Sequence, residues 1–300
     1  MTALAARSTA PPSGHQAAPL PGDRLHLNEG PIDLVIGADG PPAAVREAYR
    51  RAEAAFAGLL GDLVSELAAL RLPVGEVPPD LSGPVARRMV AAVWPLRARN
   101  VTPMAAVAGA VADEICAVLQ TVEGLRKAFV NDGGDIAVFL DAEESMSIGL
   151  VTHLQKASPS GSVTITPEMP IRGIATSGAG GRSLSLGIAD AVTVLAPSAA
   201  AADAAATLTA NAVDSDHPAI ERAPAISIDP DSDLGNRLVT VARGPLPTAT
   251  IEAALDAGAA VARQMMSDGL IAAALLACAG KTRIVQPRHL KFRDIEPLKH

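Results

Sequence analysis

Apolar and polar residues alternate with two different periods along this chain, and these periods predict its strands and helices. Residues 24–37 alternate and then run apolar around Gly30-Pro31, which predicts two strands joined by a turn. Helical spacing predicts helices over 42–71, over 85–99 and from Thr102-Pro103 to residue 120. Later apolar runs predict strands at 128–131, 135–140, 162–166, 173–176, 189–195 and 238–241, and a closing helix from about 250 to 277.

These elements predict an α/β (α+β) fold in which mixed sheets pack against helices rich in small residues. The 300 residues show no internal repeat and no strong boundary, so residues 23–285 are expected to form a single domain. Residues 1–22, rich in alanine and proline, are expected to be a disordered tail, and residues 286–300 a charged tail.

One predicted helix differs from the others because it is built almost entirely from alanine. Between Ser198 and Asp214 it carries a polar stripe, Asp203, Thr207, Asn211 and Asp214, within roughly 80° of helical arc. Lys, Arg and Glu are absent from this stretch, which predicts a helix buried nearly all round. A buried carboxylate must be paired, hydrogen-bonded or metal-bound. The stripe is therefore either a ligand or metal site, which we favour, or a set of caps for neighbouring backbone groups.

The composition of the chain narrows the classes of molecule that the protein is expected to bind. Only six residues are aromatic and the net charge is −7, so we expect no nucleic-acid binding. Without a continuous apolar run of membrane-spanning length or a signal peptide, we expect a cytoplasmic protein that does not bind a membrane. Cys116 and Cys278 lie in apolar surroundings and are expected to be buried core residues.

Two glycine-rich segments carry possible chemistry. In the first, Asp132 and Asp135 flank Gly133-Gly134 between two predicted strands, which is compatible with a ligand site and with an ordinary hairpin turn. The second, 175–187, could present amides and hydroxyls to a phosphate or carboxylate, or be a surface loop. Its candidate ligand-binding residues are Thr176, Ser177, Gly178, Gly180, Gly181 and Ser183, with Arg182 as a positive charge.

Two further candidates lie near the alanine helix. Asp190 belongs to the strand that precedes this helix, and it is a candidate base. His217, after the end of the helix, is either a base or ligand or a loop histidine near a helix C-terminus; we favour the loop histidine.

The order of these motifs resembles that of the FAD:protein FMN transferases of the ApbE type. The motifs are Gly133-Gly134-Asp135, then Ala175-Thr176-Ser177-Gly178, then Ala202-Asp203-Ala204 with Thr207. The longer segments around them resemble a cytoplasmic branch of that superfamily. The resemblance implies the ApbE fold, FAD or FMN as ligand, and Mg²⁺ held by Asp203, Thr207 and a backbone carbonyl within 109–112.

This chain departs from the transferase pattern at two points. The H-x-x-D-P-x-T-G segment is replaced by SLSLGIAD, and the lysine of G-x-x-x-K is replaced by Asp113. Few aromatic residues are available to stack on a flavin. The fold is therefore expected to carry over more fully than the flavin-transfer reaction.

Three functions are compatible with these residues. The leading one is a Mg²⁺-assisted enzyme acting on a small anionic or phosphorylated molecule, for which a flavin nucleotide is one candidate. The second is an amide or lactam hydrolase in which Ser177, or a water activated by Asp135 or Asp190, attacks the substrate. The third is a non-catalytic binding or assembly protein, and a homo-oligomer is compatible with all three. We expect Gly134, Asp135, Ser177, Gly178, Asp203 and Thr207 to line one cavity.

Overall fold

A nine-stranded sheet organises the molecule. The computed structural model describes residues 14–150, 161–181, 183–288, 290 and 292. The strands are β1 Gln16–Leu20, β2 Arg24–Glu29, β3 Ile32–Asp39, β4 Lys127–Asp132, β5 Asp135–Leu140, β6 Met146–Leu150, β7 Gly161–Ile165, β8 Gly173–Ser177, β9 Ala191–Ala196, β10 Ile220–Pro224, β11 Leu238–Arg243, β12 Ala273–Cys278 and β13 Lys281–Val285. The large sheet has the order β1-β2-β3-β4-β5-β8-β9-β12-β13, while β6-β7 and β10-β11 form separate two-stranded ribbons.

Helices cover one face of the large sheet. They are α1 Pro42–Phe56, α2 Leu59–Leu70, α3 Pro84–Val93, α4 Val107–Gln120, α5 Ala199–Ala212, α6 Ala225–Ile228 and α7 Thr248–Ser267, with 3₁₀ turns at Trp94–Arg99 and Pro103–Ala106. The alternate residues of the strands that face these helices, such as Leu34, Val130 and Val194, are buried with them in the main core.

The β6-β7 ribbon covers part of the other sheet face. Its buried residues Ile148, Leu150 and Val163 form a second core with Val138 and Leu195 from the large sheet. The fold class is confirmed, but the expectation of mixed sheets is not. Every described strand pair is antiparallel.

Two predicted segments have a different structure. Residues 16–20, expected in a disordered tail, form β1 because the free edge of β2 supplies backbone partners. The closing helix ends at Ser267, and Gly269 follows it with a φ of +73°, a conformation that suits glycine. Residues 273–277, predicted as the end of this helix, instead belong to β12. It is buried on both faces between β9 and β13, so its sequence shows no alternation.

The α4 region is an element of the main core. Residues Pro103–Gln120 are, by length and composition alone, the one described segment apolar enough to cross a membrane. This segment is half buried and packs against α1, α3, α5, β4 and β5. A buried core helix can be as long and as apolar as a membrane span, so length and composition do not distinguish the two.

Candidate functional site

A cavity of about 420 Å³ lies beside the middle of α5. Three predicted site residues line it: Ser177 at the end of β8, Ser183 in the glycine-rich loop and Thr207 on α5. Asn211, one turn after Thr207 in the polar stripe, also lines it. The remaining wall is formed by residues within 99–105 and 228–237 and by Arg71. Hydroxyl and amide groups thus reach one cavity from three parts of the chain.

The alanine helix is positioned by close backbone packing. A Cβ on Gly109 would lie 2.3 Å from the carbonyl oxygen of Ala199, and one on Gly173 would lie 2.0 Å from the carbonyl carbon of Ser198. Only glycine allows α4 and β8 to come this near to the start of α5. The alanines buried on the remaining sides of α5 allow similarly close packing. The prediction of a largely buried helix is confirmed, and its polar stripe occupies the partly exposed side.

Two aspartates cap the facing ends of α4 and α5. Asp203 of α5 accepts a hydrogen bond from the backbone N–H of Gly109 in the first turn of α4, at 3.1 Å. Asp113 of α4 accepts hydrogen bonds from the N–H groups of Ala199 and Ala200, each at 2.9 Å. These amides have no partner within their own helices, so each carboxylate satisfies donors that would otherwise be left unpaired. Asp113, in the place of the family's lysine, therefore has a structural role.

Asp203 lies close to two other carboxyl groups. Burial raises the pKa of Asp203 well above its usual range, and the neighbouring Asp135 and Asp132 raise it further. Asp135 accepts a hydrogen bond from the N–H of Thr176 at 3.2 Å, and Asp132 accepts one from the N–H of Asp33 at 3.3 Å. The structure thus places the Asp135 and Asp203 motifs near each other, although neither residue lines the cavity that contains Thr207.

The Gly133-Gly134 segment is a two-residue hairpin turn between β4 and β5. The φ angles of Gly133 and Gly134 are +62° and +121°, values that L side chains rarely adopt. The N–H of Gly134 donates a hydrogen bond to Oδ1 of Asn131 at 2.8 Å. Neither glycine lines the cavity, and turn geometry accounts for both. A ligand role for these glycines stays a prediction.

The glycine-rich loop uses several of its polar groups internally. The N–H of Ala179 donates to the carbonyl oxygen of Ala189, and the N–H of Gly181 donates to that of Gly178. These two amides are therefore occupied and do not form the oxyanion hole that the hydrolase hypothesis requires. The Thr176 hydroxyl shares a hydrogen bond of 2.9 Å with Thr193.

The other glycines of this loop lie outside the cavity. Gly178 approaches the backbone of Asp190 closely, because a Cβ there would lie 2.9 Å from the Asp190 carbonyl oxygen. Gly180 lines a smaller cavity beside Asp190, and Gly181 lines neither cavity. Arg182 lies outside the described residues.

Asp190 is in a structural ion pair, away from the cavity of Ser177. Its Oδ1 lies 2.7 Å from Nη2 of Arg243, and its Oδ2 accepts a hydrogen bond from the N–H of Ala279 at 2.6 Å. In this structure the Asp190 carboxylate joins the start of β9 to β11 and to the β12-β13 turn, and its role as a base stays a prediction. His217 accepts a hydrogen bond at Nδ1 from the N–H of Ala219, which matches the loop-histidine interpretation.

Both cysteines are buried, as expected. Burial raises the pKa of the Cys116 thiol to about 12 and that of Cys278 to about 11. Both thiols are therefore protonated at neutral pH and poor nucleophiles.

The main feature of the cavity that sequence reasoning missed is its set of cations. Arg71, Arg99 and Arg237 line it, and none of the three forms an ion pair with another described residue. Thr102, at the predicted start of a helix, makes no capping bond there and donates its hydroxyl hydrogen to Oδ2 of Asp233 at 2.5 Å across the same cavity. No local sequence signal identifies these arginines, because they lie on segments far apart in the chain.

The residues that could hold a metal are oxygen donors. In the part of the chain that the structure describes, no group of three or more His, Cys, Asp or Glu side chains is arranged to hold an ion. The carboxylate of Asp203 and the hydroxyl of Thr207 lie one helical turn apart. Magnesium is typically held by one or two carboxylates and completed by water and substrate phosphates. A carboxylate and a hydroxyl one turn apart are donors of the kind that such an ion uses, although only Thr207 of the two lines the cavity.

Comparison with known proteins shows several similarities. A UPF0280 protein of Methanothrix thermoacetophila is 40% identical over 145 residues, which are 47% of this chain and 57% of that protein. A UPF0280 protein of Methanopyrus kandleri is 37% identical over 160 residues, 52% of this chain and 61% of that protein. The chain thus spans about half the length of the curated relatives that it matches.

Solved structures show a distant likeness over most of the chain. The flavin transferase ApbE from Vibrio cholerae is 14% identical with a TM-score of 0.43, covering 95% of this chain and 98% of that chain. The ApbE protein of Thermotoga maritima is 11% identical with a TM-score of 0.45, covering 91% and 97%.

Family membership is decided by a match over nearly the whole chain. The family model described as "AbpE bacteria" matches residues 17–284, which include the GGD turn, the glycine-rich loop and the alanine helix. The ApbE-like resemblance of the motifs is therefore confirmed, and the chain belongs to the bacterial AbpE family.

Proposed function

We propose that this protein is a Mg²⁺-assisted enzyme acting on a small anionic or phosphorylated molecule of the flavin-nucleotide class. The observation that carries the proposal is the cavity beside α5, where Ser177 and Thr207 face three arginines that have no carboxylate partner among the described residues. Membership in the AbpE family supports the flavin-nucleotide class.

The arginine side chains of the cavity are the groups that could bind an anion. Arg71 donates a hydrogen bond to the backbone oxygen of Asp231, which orients its guanidinium group without neutralising it. Planar guanidinium groups bind phosphate oxygens in a bidentate manner. Aspartates of the loop 229–233 also line the cavity, and Asp233 is bonded to Thr102. The ligand we infer has phosphate groups toward the arginines and polar groups toward the Asn211 amide.

Mg²⁺ would be held by Asp203 and Thr207 in this proposal. A cation beside Asp203 offsets the repulsion that Asp135 and Asp132 exert on its ionised form. When bound, the ion would neutralise phosphate charge and polarise a phosphoryl oxygen. Ser177 and Ser183 would donate hydrogen bonds to the substrate. Asp135 is the base in this proposal; its bond to Thr176 N–H fixes the end of β8, and because it does not line the cavity it would act on the substrate through a water.

Calorimetric titration tests the site. We expect FAD, FMN or ADP to bind to the full chain more tightly with Mg²⁺ than without it. We expect Thr207→Val to remove this gain in affinity. Thr209→Val is the matched control, because Thr209 is on the same helix but is fully buried and does not line the cavity. Equal effects of the two substitutions, or no nucleotide binding with Mg²⁺, would refute the proposed site.

A second assay addresses the reaction. If the transferase reaction is retained, incubation with FAD and Mg²⁺ releases AMP as the FMN group passes to a hydroxyl acceptor on a protein or, without one, to water. We expect weak or no release, because the family's lysine is replaced by the capping residue Asp113 and the H-x-x-D-P-x-T-G segment is absent. Rapid AMP release that Thr207→Val abolishes would show that FAD itself is the substrate.

A further inference from the structure

A second cavity lies on the sheet face opposite the helices. It measures about 490 Å³, within the usual range of small-molecule sites, and lies between β6 and the outer face of β3, β4 and β5. Its lining includes Phe129, Ile136, Met146 and Ile148. Ala128 and Val130, on either side of Phe129, face the helices, so Phe129 faces away from them. This cavity is therefore separated by the sheet from the one that contains Ser177.

The floor of this cavity is the ring of Phe129, which packs over Gly37. Gly37 and Phe129 are cross-strand partners in β3 and β4. A Cβ on Gly37 would lie 2.3 Å from Cε1 of Phe129, so the ring occupies the space that a side chain at position 37 would take. Any larger residue at position 37 would push the ring into the cavity. Phe129 is half-buried, which leaves part of the ring available to a ligand.

Among the described residues, one cation without a carboxylate partner borders this ring. In the antiparallel pairing of β2 and β3, Leu25 lies opposite Ile36, so Arg24 lies opposite Gly37. Gly37 in turn pairs with Phe129, and the three residues form one row across the sheet. Arg24 donates its Nε–H to the carbonyl oxygen of Pro21, and its two Nη groups have no partner within the described segments. Lys127, also at the rim, is already bonded to Glu144 at 2.9 Å. Asp39, which also lines the cavity, is paired with Arg126. Among the described lining residues, Arg24 is therefore the charged side chain without an ionic partner.

We propose that this cavity is a second small-molecule site, which binds a planar aromatic monoanion with its ring against Phe129 and its anionic group at Arg24. Apolar side chains of β5 and β6 enclose the remainder of the ring. Aromatic pairs gain stability from offset or edge-to-face contact beyond the apolar area that they bury. The guanidinium group supplies bidentate hydrogen bonds to a carboxylate or sulfonate. The site is independent of the function proposed for the other cavity.

Methionine-methyl NMR of the full chain tests this with 2-naphthoate as the probe. Met146 lines the proposed site and Met104 lines the other cavity, so each methyl group reports on one of them. The Met146 signal is assigned with Met146→Leu. We expect 2-naphthoate to shift Met146 saturably and leave Met104 unchanged, and we expect the neutral 2-naphthalenemethanol to bind about tenfold more weakly. Absence of a Met146 shift in the wild-type protein would overturn the proposal.

Two substitutions assign the contacts. We expect Phe129→Leu, which removes the ring but keeps an apolar side chain, and Arg24→Gln each to weaken 2-naphthoate binding by about fivefold to tenfold. Thr207→Val, in the other cavity, should leave the affinity for 2-naphthoate unchanged. Circular dichroism melting checks that each variant is folded. A Met146 titration that neither Phe129→Leu nor Arg24→Gln weakens, or one that Thr207→Val abolishes, would overturn the assignment.

Discussion

Replacement of Asp203 by asparagine separates the charge of this residue from its capping role. The asparagine side-chain oxygen can still accept the hydrogen bond from the N–H of Gly109. The negative charge, which burial and the neighbouring Asp135 and Asp132 disfavour, is removed. Thus the substitution keeps the local hydrogen bond and relieves the electrostatic strain.

The raised pKa sets the sign of the pH dependence. The folded state holds the proton on Asp203 at pH values where the same carboxyl group in the unfolded chain, with an ordinary pKa of 3.8, has already released it. The folded protein therefore loses stability as pH rises above that value and through the folded-state pKa. The asparagine variant does not share this loss.

The expected magnitude follows from these two effects. Each unit by which the folded-state pKa is raised corresponds to about 1.4 kcal/mol of lost stability at a pH above both pKa values, so we expect Asp203→Asn to raise the free energy of unfolding at neutral pH. Asp203→Ala also removes the charge but leaves the N–H of Gly109 without its acceptor. It should therefore be about 1 kcal/mol less stable than Asp203→Asn.

Urea unfolding followed by circular dichroism measures these differences. The wild type should lose more stability than Asp203→Asn between about pH 5 and about pH 8, and Mg²⁺ should stabilise the wild type but not the variant at the higher pH. Parallel pH profiles, or an asparagine variant less stable than the wild type at the higher pH, would refute the electrostatic reasoning. Equal stabilisation of both proteins by Mg²⁺ would refute Asp203 as a ligand.

Three further substitutions test an unpaired hydroxyl, a strained backbone position and a close packing contact. Thr209→Val should stabilise the protein by about 1 kcal/mol in urea unfolding, because the buried Thr209 hydroxyl has no hydrogen-bond partner among the described residues; a destabilised variant would contradict this. Ala279→Gly should raise the melting temperature, since Ala279 has a φ of +46° and glycine relieves about 1 kcal/mol of strain there; a lower melting temperature would count against it. Gly173→Ala should cost about 3 kcal/mol or more, because its Cβ would overlap the backbone of Ser198. Gly61→Ala, in open space on α2, is its control, and similar losses in both would disprove the packing argument.

The sequence alone was sufficient for features whose cause is local. The alanine-rich composition of 199–212 and its polar residues at helical spacing predict α5 and the partly exposed side where Thr207 and Asn211 face the cavity. The pair Gly133-Gly134 between apolar runs predicts the hairpin turn. Helical period, strand alternation and turn preference each depend on residues within a few positions of one another. These features can therefore be read without knowledge of the rest of the fold.

Tertiary structure decided whatever depends on distant segments. Residues 273–278 are uniformly apolar, and only their position between β9 and β13 makes them a strand. Strand β1, with exposed residues and no apolar pattern, exists because the edge of β2 offers hydrogen bonds. Arg71, Arg99 and Arg237 meet only when their separate segments close around the cavity. Backbone pairing and cavity formation join residues far apart in the chain, and no local pattern records which of them will meet.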